Sequence, residues 1–435
     1  TTDGVNTTLL YRAKEEDAFK PILTTNFKEG VQPLMFTFDN QRLYVSSNRG
    51  RDKAAIFEFD PVTAKEGKLL FEHPEVDVSA LGHSRKRKVL TTVPYTTWKG
   101  QRHFLDRESE AMFKAVEAKL PGYEIGFVST NKSEDKYIVA TFNDKTRGKR
   151  YLYDKTSGKL DFLADISPWL PEGELADMKP VSYRSRDGLT INGYLTLPKG
   201  VAAKDLPVVV NPHGGPWARD SWRFNPEVQF LANRGYAVFQ MNFRGSTGYG
   251  RKFWEASFKQ WGKTMQDDVT DGVQWLVKEG IADPKRIGIY GGSYGGYTTL
   301  AGITFTPDLY AAAVDYVGVS NLFTFMGTIP PYWKPYLEML HEMVGHPEKD
   351  KELLASASPV MHVDKIKTPL FIAQGAKDPR VNKAESDQMV EALKKRGVTV
   401  EYMVKDNEGH GFANEENRFD FYQSMEKFLG QHLKK

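Results

Sequence analysis

The stretch Arg286-Ile-Gly-Ile-Tyr-Gly-Gly-Ser-Tyr-Gly-Gly-Tyr297 decides how the second half of this chain folds. Residues 287–290 are β-branched or aromatic apart from one glycine, and a helix-compatible run follows shortly, so Ser293 falls in a very tight strand-to-helix turn. The spacing of Gly291, Ser293 and Gly295 is typical of a nucleophile elbow, in which a strained turn exposes the serine hydroxyl and leaves no room for neighbouring side chains. Taken alone, the pattern also fits an ordinary glycine-rich turn.

Apolar runs without alternation surround this turn and indicate a parallel sheet that is covered on both faces. The predicted strands are Leu206–Val210, Tyr236–Phe239, Ile287–Tyr290, Ala312–Val317, Leu370–Ala373 and Val398–Val404. Helical periodicity appears at Asp267–Glu279 and Asn417–Leu433, and a hairpin of Lys179–Arg186 with Leu189–Leu197 precedes the first apolar strand. We therefore predict a doubly wound, mostly parallel α/β sheet over residues 179–435, with functional loops at the strand C-termini.

Three loops that follow predicted strands carry the other candidate site residues. Pro212-His-Gly-Gly-Pro-Trp217 has glycines that would let a backbone N–H approach a carbonyl oxygen, as an oxyanion hole requires. Asp378 and His410 each follow a later strand. A lone histidine or aspartate in a turn is usually structural, but the order Ser293, Asp378, His410 is that of the α/β-hydrolase fold. These three residues are the candidate catalytic triad.

A repeat organises the first 165 residues. One series of strand-like segments recurs 46 and then 48 residues apart, starting at Leu43, Val89 and Tyr137. A second series keeps the same steps and ends at Asp60, Asp106 and Asp154. Several short strands in each such period predict β-propeller blades, and a generic β-sandwich is the alternative.

The repeat also predicts the organisation of the chain as a whole. Thr8–Arg12 and Pro21–Thr24 look like the outer half of one more blade, so residues 1–165 would be the C-terminal part of a propeller with about three and a half blades. Residues 166–178, rich in proline and glycine, read as a linker. Since a partial ring leaves unpaired strand edges, we expect a second chain or an N-terminal fragment to complete it.

Together these motifs resemble the prolyl oligopeptidase family of serine peptidases, in particular its acylaminoacyl-peptidase and dipeptidyl-peptidase branch. The segments that carry the resemblance are His213-Gly-Gly-Pro216, Asn242-Phe-Arg-Gly-Ser-Thr-Gly-Tyr-Gly250, Gly291-Gly-Ser-Tyr-Gly-Gly-Tyr297, Asp378-Pro-Arg-Val381 and Gly409-His-Gly411. The resemblance implies a seven-bladed propeller before an α/β-hydrolase domain. It also implies an oligopeptidase or exopeptidase that acts on short peptides and needs no metal or organic cofactor.

The resemblance further implies a role for each matching residue. Ser293 would be the nucleophile, His410 the general base, and Asp378 the group that orients His410. The backbone N–H groups of Tyr294 and Gly215 would form the oxyanion hole. Substrate-binding roles fall to Arg380, which would hold a substrate carbonyl or carboxylate, and to an apolar S1 pocket lined by Tyr294, Val319, Leu322, Phe325 and Val381.

The composition bounds the remaining function classes. The 59 basic and 56 acidic residues leave a net charge of +3, which suggests no nucleic-acid partner. The sequence contains no run of about 18 apolar residues, so we predict no membrane span. The absence of cysteine removes disulfides and thiolate chemistry, and it slightly favours a periplasmic or secreted location over a cytoplasmic one.

Two other readings stay open at this point. An esterase would share the triad, and a propeller that serves only as a binding platform could carry a vestigial hydrolase. The sequence does not distinguish exopeptidase from endopeptidase action, does not give the preferred residue at P1, and leaves a homo-oligomer open.

Overall fold

The computed structural model describes residues 3–398 and 400–434. Its chain divides into two compact units. The first consists of Thr1–Asp177, Ser221–Gln229 and Gly248–Lys252, and the second of Met178–Asp220, Phe230–Thr247 and Phe253–Lys435.

Short antiparallel strands build the first unit. Two of its sheets have four strands each: β3 (Val31–Phe36), β4 (Leu43–Ser47), β5 (Ala55–Asp60) and β6 (Lys65–Phe71) in one, and β11 (Glu124–Thr130), β12 (Lys136–Phe142), β13 (Lys149–Asp154) and β14 (Lys159–Asp165) in the other. Three strand pairs complete the unit: β1 (Asn6–Tyr11) with β2 (Lys20–Asn26), β7 (His83–Ser84) with β8 (Val89–Leu90), and β9 (Thr92–Thr96) with β10 (Gly100–Phe104).

The middle repeat departs from its predicted pattern. The strand expected to run to Asp106 ends at Phe104, and Asp106 instead caps helix α1 (Arg107–Glu117). Its carboxylate accepts the backbone N–H of Ser109 at 2.9 Å, which satisfies one of the N–H groups that a helix start leaves unpaired. The sequence expectation was therefore wrong at this point, because an aspartate that closes a strand-like run is also a good helix cap.

The second unit is built on one eight-stranded sheet. Its strands are β15 (Met178–Arg184), β16 (Thr190–Thr196), β17 (Leu206–Val210), β18 (Ala237–Asn242), β19 (Ala282–Gly292), β20 (Ala312–Tyr316), β21 (Leu370–Gly375) and β22 (Val400–Lys405), in the order β15-β16-β18-β17-β19-β20-β21-β22. Strands β15, β16 and β18 pair antiparallel, and every pairing from β18 to β22 is parallel. The sheet is thus mostly parallel, as predicted.

Nine helices follow α1 within the described residues. They are α2 (Pro226–Asn233), α3 (Arg251–Glu255), α4 (Thr264–Lys278), α5 (Tyr294–Phe305), α6 (Leu322–Gly327), α7 (Leu337–Met343), α8 (Lys351–Ser356), α9 (Ala384–Lys395) and α10 (Glu415–Leu433). Short 3₁₀ segments lie at Glu172–Glu174, Pro331–Tyr336 and Pro359–Lys365. Among the described residues, no helix has both the length and the apolar character that a membrane crossing needs.

Alternating side chains of the central strands bury both faces of the sheet. Ile287 and Ile289 of β19 belong to the same apolar core as residues of α4 and α5. On the opposite face, Tyr290 lies 6.1 Å from the ring of Phe421 in α10. Burial on both faces explains why these strands read as continuous apolar runs in the sequence.

Most boundaries differ from the predicted ones by a few residues. Strand β19 is longer, since it begins at Ala282 rather than at Ile287, and β18 extends to Asn242. The predicted strand Val398–Val404 corresponds to β22, which begins at Val400, and Thr399 lies outside the described residues.

Substitution of Gly193 tests the packing of this sheet. A Cβ on Gly193 of β16 would lie 2.2 Å from the carbonyl oxygen of Gln240 in β18, so Gly193→Ala must push the two strands apart. We expect a loss of about 1–3 kcal/mol in the free energy of unfolding, measured by chemical denaturation.

Gly430→Ala is the matched control for this substitution. Gly430 lies inside α10, and a Cβ there meets nothing within 4 Å. Its replacement should stabilise the protein by up to about 1 kcal/mol, because alanine loses less backbone entropy in a helix. Equal shifts for the two variants would contradict the proposed close contact of β16 and β18.

Candidate active site

Ser293 occupies a strained backbone position between β19 and α5. Its φ is 59° and its ψ is −118°, a region that L-residues rarely adopt. The turn is held from the neighbouring strand, because the Ser293 N–H donates to the carbonyl oxygen of Tyr316 in β20 at 2.9 Å. The serine therefore projects from the C-terminal edge of the sheet in a fixed orientation.

The two flanking glycines are required by space. A Cβ on Gly291 would lie 2.5 Å from the carbonyl group of Gly295, and a Cβ on Gly295 would lie 2.3 Å from the carbonyl oxygen of Pro212. Real Cβ atoms do not approach so closely, so side chains at either position would open the turn. This is the steric reason that the sequence pattern anticipated.

The three predicted triad residues lie in one line of hydrogen bonds. Nε2 of His410 is 3.0 Å from Oγ of Ser293, and Nδ1 of His410 is 2.7 Å from Oδ2 of Asp378. Because an ionised carboxylate only accepts hydrogen bonds, Nδ1 carries the proton and Nε2 presents its lone pair to the serine hydroxyl.

Asp378 is held firmly in this position. Its side chain has no solvent-exposed surface, and its Oδ1 accepts the backbone N–H groups of Arg380 at 2.8 Å and Val381 at 2.9 Å. These two bonds occupy one carboxylate oxygen and leave the other aimed at His410. The loop after β21 thus fixes both the position and the rotamer of the aspartate.

Glu408 orders the loop that carries His410, a role that the sequence did not suggest. Its carboxylate accepts the backbone N–H groups of Ala413 at 2.8 Å and Asn414 at 2.9 Å, and the side-chain amide of Asn417 at 2.7 Å. Burial opposes its ionisation, but these hydrogen bonds lower the pKa of Glu408 to about 2. The only available signal was its place two residues before His410.

The two predicted oxyanion-hole residues lie at the start of α5 and in the loop after β17. Tyr294 is the first residue of α5, where a backbone N–H has no intrahelical acceptor. The loop after β17 reaches the elbow at Gly214, where a Cβ would lie 3.6 Å from Cβ of Ser293. Around Gly215 the nearest atoms to such a Cβ belong to Trp217 and Ala218 of its own loop.

His213, a residue of this loop, holds the loop in place by ring stacking and hydrogen bonds. Its ring stacks on Phe243 with centroids 4.3 Å apart, and its Nδ1 and Nε2 lie 2.8 Å from the carbonyl oxygen of Gly214 and 2.9 Å from Oγ of Ser246. Burial lowers the pKa of His213 to about 4, so the ring is neutral at neutral pH. His213 therefore acts on the loop by packing and hydrogen bonding, and carries no charge.

The predicted S1 residues all lie in the main apolar core of the second unit. Tyr294, Val319, Leu322, Phe325 and Val381 are each at most 7% exposed. The sequence did not single out Trp261, whose ring lies 4.5 Å from that of Tyr294 and 6.1 Å from that of Phe325. Aromatic side chains thus concentrate directly below the elbow.

Arg380 differs from these residues because it is exposed. Its backbone N–H binds Asp378, but among the described residues its guanidinium makes no hydrogen bond or ion pair. A guanidinium with free donors two residues from the triad aspartate is available for a ligand.

Glu385 links the Asp378 loop to the S1 residues. It lies in the first turn of α9 and is 1% exposed, and its Oε2 accepts the backbone N–H groups of Ser320 at 3.0 Å and Asn321 at 2.9 Å. Its other oxygen accepts the hydroxyl of Thr324 in α6. Burial raises the pKa of Glu385, although these bonds favour its charged form.

A second buried carboxyl group lies below the elbow, at the end of β20. A Cβ on Gly296 or on Gly318 would come within 2.4 Å or 2.1 Å of Oδ1 of Asp315, so both glycines make room for this group. Burial raises the pKa of Asp315 to about 8, which keeps it largely protonated at neutral pH.

The described part of the chain contains no group of three or more histidine, aspartate or glutamate side chains arranged to hold a metal ion.

Comparisons with known proteins agree with the resemblance seen in the motifs. The prolyl oligopeptidase family matches residues 222–435. Dipeptidyl aminopeptidase BIII of Pseudoxanthomonas mexicana is 41% identical over 95% of this chain, and dipeptidyl peptidase family member 6 of Caenorhabditis elegans is 33% identical over 93% of it. The chain covers 60% and 58% of the lengths of these two relatives.

A solved structure shares the fold. A puromycin-hydrolyzing peptidase of Mycobacterium tuberculosis superimposes with a TM-score of 0.83 at 24% identity, over 100% of this chain and 66% of that one. This neighbour and the strand order identify the second unit as an α/β-hydrolase domain. Residues 222–435 match the prolyl oligopeptidase family, and the resemblance that the motifs indicated is confirmed.

Proposed function

We propose that this chain carries the catalytic part of a serine peptidase that hydrolyses short peptides through an acyl-enzyme. The observation that carries the proposal is the unbroken line of hydrogen bonds from Ser293 through His410 to Asp378, with distances of 3.0 and 2.7 Å. The line begins at a strained elbow, as nucleophilic catalysis requires.

In the proposed reaction, Ser293 attacks the carbonyl carbon of the scissile bond. Nε2 of His410 takes the hydroxyl proton as the Oγ–C bond forms, and returns it to the leaving amine as the C–N bond breaks. Asp378 keeps the proton on Nδ1 and stabilises the imidazolium that forms. Water then attacks the acyl-enzyme ester, with His410 again taking the proton. The proton returns to Oγ as the Oγ–C bond breaks, and the acid product leaves Ser293 free.

We assign the stabilisation of the oxyanion to backbone N–H groups. The N–H of Tyr294 lies at the positive end of α5, which favours negative charge developing on the substrate oxygen. The N–H of Gly215 is the second donor in this proposal, and the packing of the loop at Gly214 against the elbow supports it.

We assign the substrate contacts from the polarity of the predicted substrate-binding side chains. The buried apolar residues Val319, Leu322, Phe325 and Val381 and the ring of Tyr294 would form the wall of S1, with Trp261 at its base. The exposed guanidinium of Arg380 would bind a substrate carbonyl or carboxylate. The names of the two relatives favour release of dipeptides over removal of an acylated residue.

We also propose the domain division that the repeat predicts. Residues 1–165 would be part of a β-propeller, residues 166–178 a linker, and residues 179–435 the catalytic domain. The two four-stranded antiparallel sheets support the propeller assignment, since each has the strand number and order of a blade.

Removal of Ser293 and of His410 tests the mechanism. Ser293→Ala and His410→Ala should each lower kcat for a short peptide by roughly a million-fold, and the double variant should lose little more, because the residues of a triad act as one unit. Steady-state kinetics on a peptide and a matched ester would measure these losses.

Circular dichroism and the unfolding midpoint serve as the control for these variants, and both should match the wild type. Losses that multiply in the double variant would refute the proposed unit. An intact ester turnover with no peptide turnover in the wild type would instead favour an esterase.

Glu385 offers a test of how the S1 wall is positioned. Glu385→Ala leaves the N–H groups of Ser320 and Asn321 unsatisfied, at about 1–3 kcal/mol each, so the segment that carries Val319 and Leu322 should shift. We expect KM for a peptide with an apolar P1 residue to rise about tenfold, with a smaller change in kcat.

Two variants serve as controls for this prediction. Glu385→Gln can still accept both N–H groups and should restore KM to near the wild-type value. Glu391→Ala lies on the same helix but is exposed, and it should change nothing. A fall in kcat at constant KM for Glu385→Ala would rule out a role in positioning S1.

A further inference from the structure

A cavity of about 380 Å³ lies in the first unit, where helix α1 follows the two-stranded sheet of β9 and β10. Its walls come from β9, β10, α1, β11 and the start of β12, and from the segments that carry Arg87, Glu134 and Lys155. The volume lies at the lower end of the range of small-molecule sites, which is about 300–1,000 Å³. The sequence-based expectations and the proposed function make no use of this cavity.

Arg102 of β10 is the distinctive residue of this cavity. Its guanidinium lies over the ring of Phe113, 4.4 Å from the centroid, and donates one hydrogen bond to the carbonyl oxygen of Ile125 at 2.7 Å. No carboxylate of the described residues lies within ion-pair distance of it, and burial lowers the pKa of Arg102. A guanidinium has five N–H donors, so most of its donors have no protein acceptor.

The other charged groups that line the cavity are already paired. Arg87 binds Asp106 with two hydrogen bonds of 2.6 and 3.0 Å, and Lys155 pairs with Glu108. Glu134 accepts the backbone N–H groups of Arg85 at 2.8 Å and Lys86 at 3.1 Å. Within the described residues, Arg102 is therefore the lining cation without a carboxylate partner.

The remaining lining is mostly apolar or aromatic. It includes Phe104, Met112, Phe113, Phe127, Val128 and Tyr137. Phe113 contacts two of the other rings, with centroids 5.5 Å from Phe104 and 6.2 Å from Phe127. The cavity thus combines an apolar wall with a guanidinium that makes no direct ion pair within the described residues.

We propose that this cavity binds a small organic monocarboxylate, whose carboxylate pairs with Arg102 and whose apolar body packs on Phe113 and Phe127. A single planar guanidinium matches a carboxylate in charge and in geometry. A dianion such as phosphate would keep one charge uncompensated beside an apolar wall. The proposal concerns the first unit alone and does not depend on the proposed peptidase activity.

Isothermal titration calorimetry with 3-phenylpropionate tests the site directly. We expect saturable binding to the wild-type protein, and at least about tenfold weaker binding of 3-phenylpropionamide, because the amide keeps the shape and loses the charge. Arg102→Gln should weaken binding of the acid to the same degree, since glutamine can still donate to Ile125 but has no charge.

N-acetylphenylalanine distinguishes a free acid from the carboxylate end of a longer peptide product. If it binds as well as 3-phenylpropionate, the site admits peptide carboxylates; if it binds at least about tenfold more weakly, the site selects the free acid, and either result supports a carboxylate site.

One control variant separates this cavity from other cations. Lys114→Gln, on the exposed side of α1, should leave binding unchanged. Met112→Trp should weaken binding, because the larger side chain fills the cavity and leaves the Arg102 guanidinium unchanged. This variant tests the proposal even if Arg102→Gln folds poorly. Absence of heat up to about 10 mM acid, equal binding of the amide, or loss of binding on Lys114→Gln would overturn the proposal.

Discussion

The strained turn at Ser293 is the constraint on which the proposed catalytic arrangement depends. A non-glycine residue at a φ of 59° persists only where its surroundings hold it there. Here the surroundings are the hydrogen bond to Tyr316, the close approach of Pro212 to Gly295, and helix α5 packed on the central strands. These contacts fix the backbone of the elbow, and the hydrogen bond to His410 orients the serine hydroxyl.

The parallel sheet explains why distant residues meet at this elbow. Strands β19, β21 and β22 all end at the same edge, so the loops after them bring together Ser293, Asp378 and His410 across more than one hundred residues of chain. The parallel strands and the three candidate residues could be predicted from the sequence, because buried parallel strands appear as apolar runs and the candidate residues follow these runs directly. The His213 loop could be predicted for the same reason, and it approaches the elbow at Gly214.

Other features could not be read from the chain, because their causes are not local. Glu385 sits where an acidic residue in the first turn of a helix is ordinary, and only the fold brings it to Ser320 and Asn321, more than sixty residues away. Asp106 could end a strand or cap a helix; it caps α1, and β10 ends at Phe104. Room for the carboxyl group of Asp315 depends in part on Gly296, which lies in helix α5.

The central claim is that Ser293 is a nucleophile activated by His410. The most direct measurement is covalent labelling with a fluorophosphonate, followed by peptide mapping with mass spectrometry. The account predicts a single stoichiometric adduct on Ser293 in the wild-type protein, and labelling slowed by several orders of magnitude in His410→Ala. An adduct on another residue, or labelling of Ser293 at an unchanged rate without His410, would contradict it.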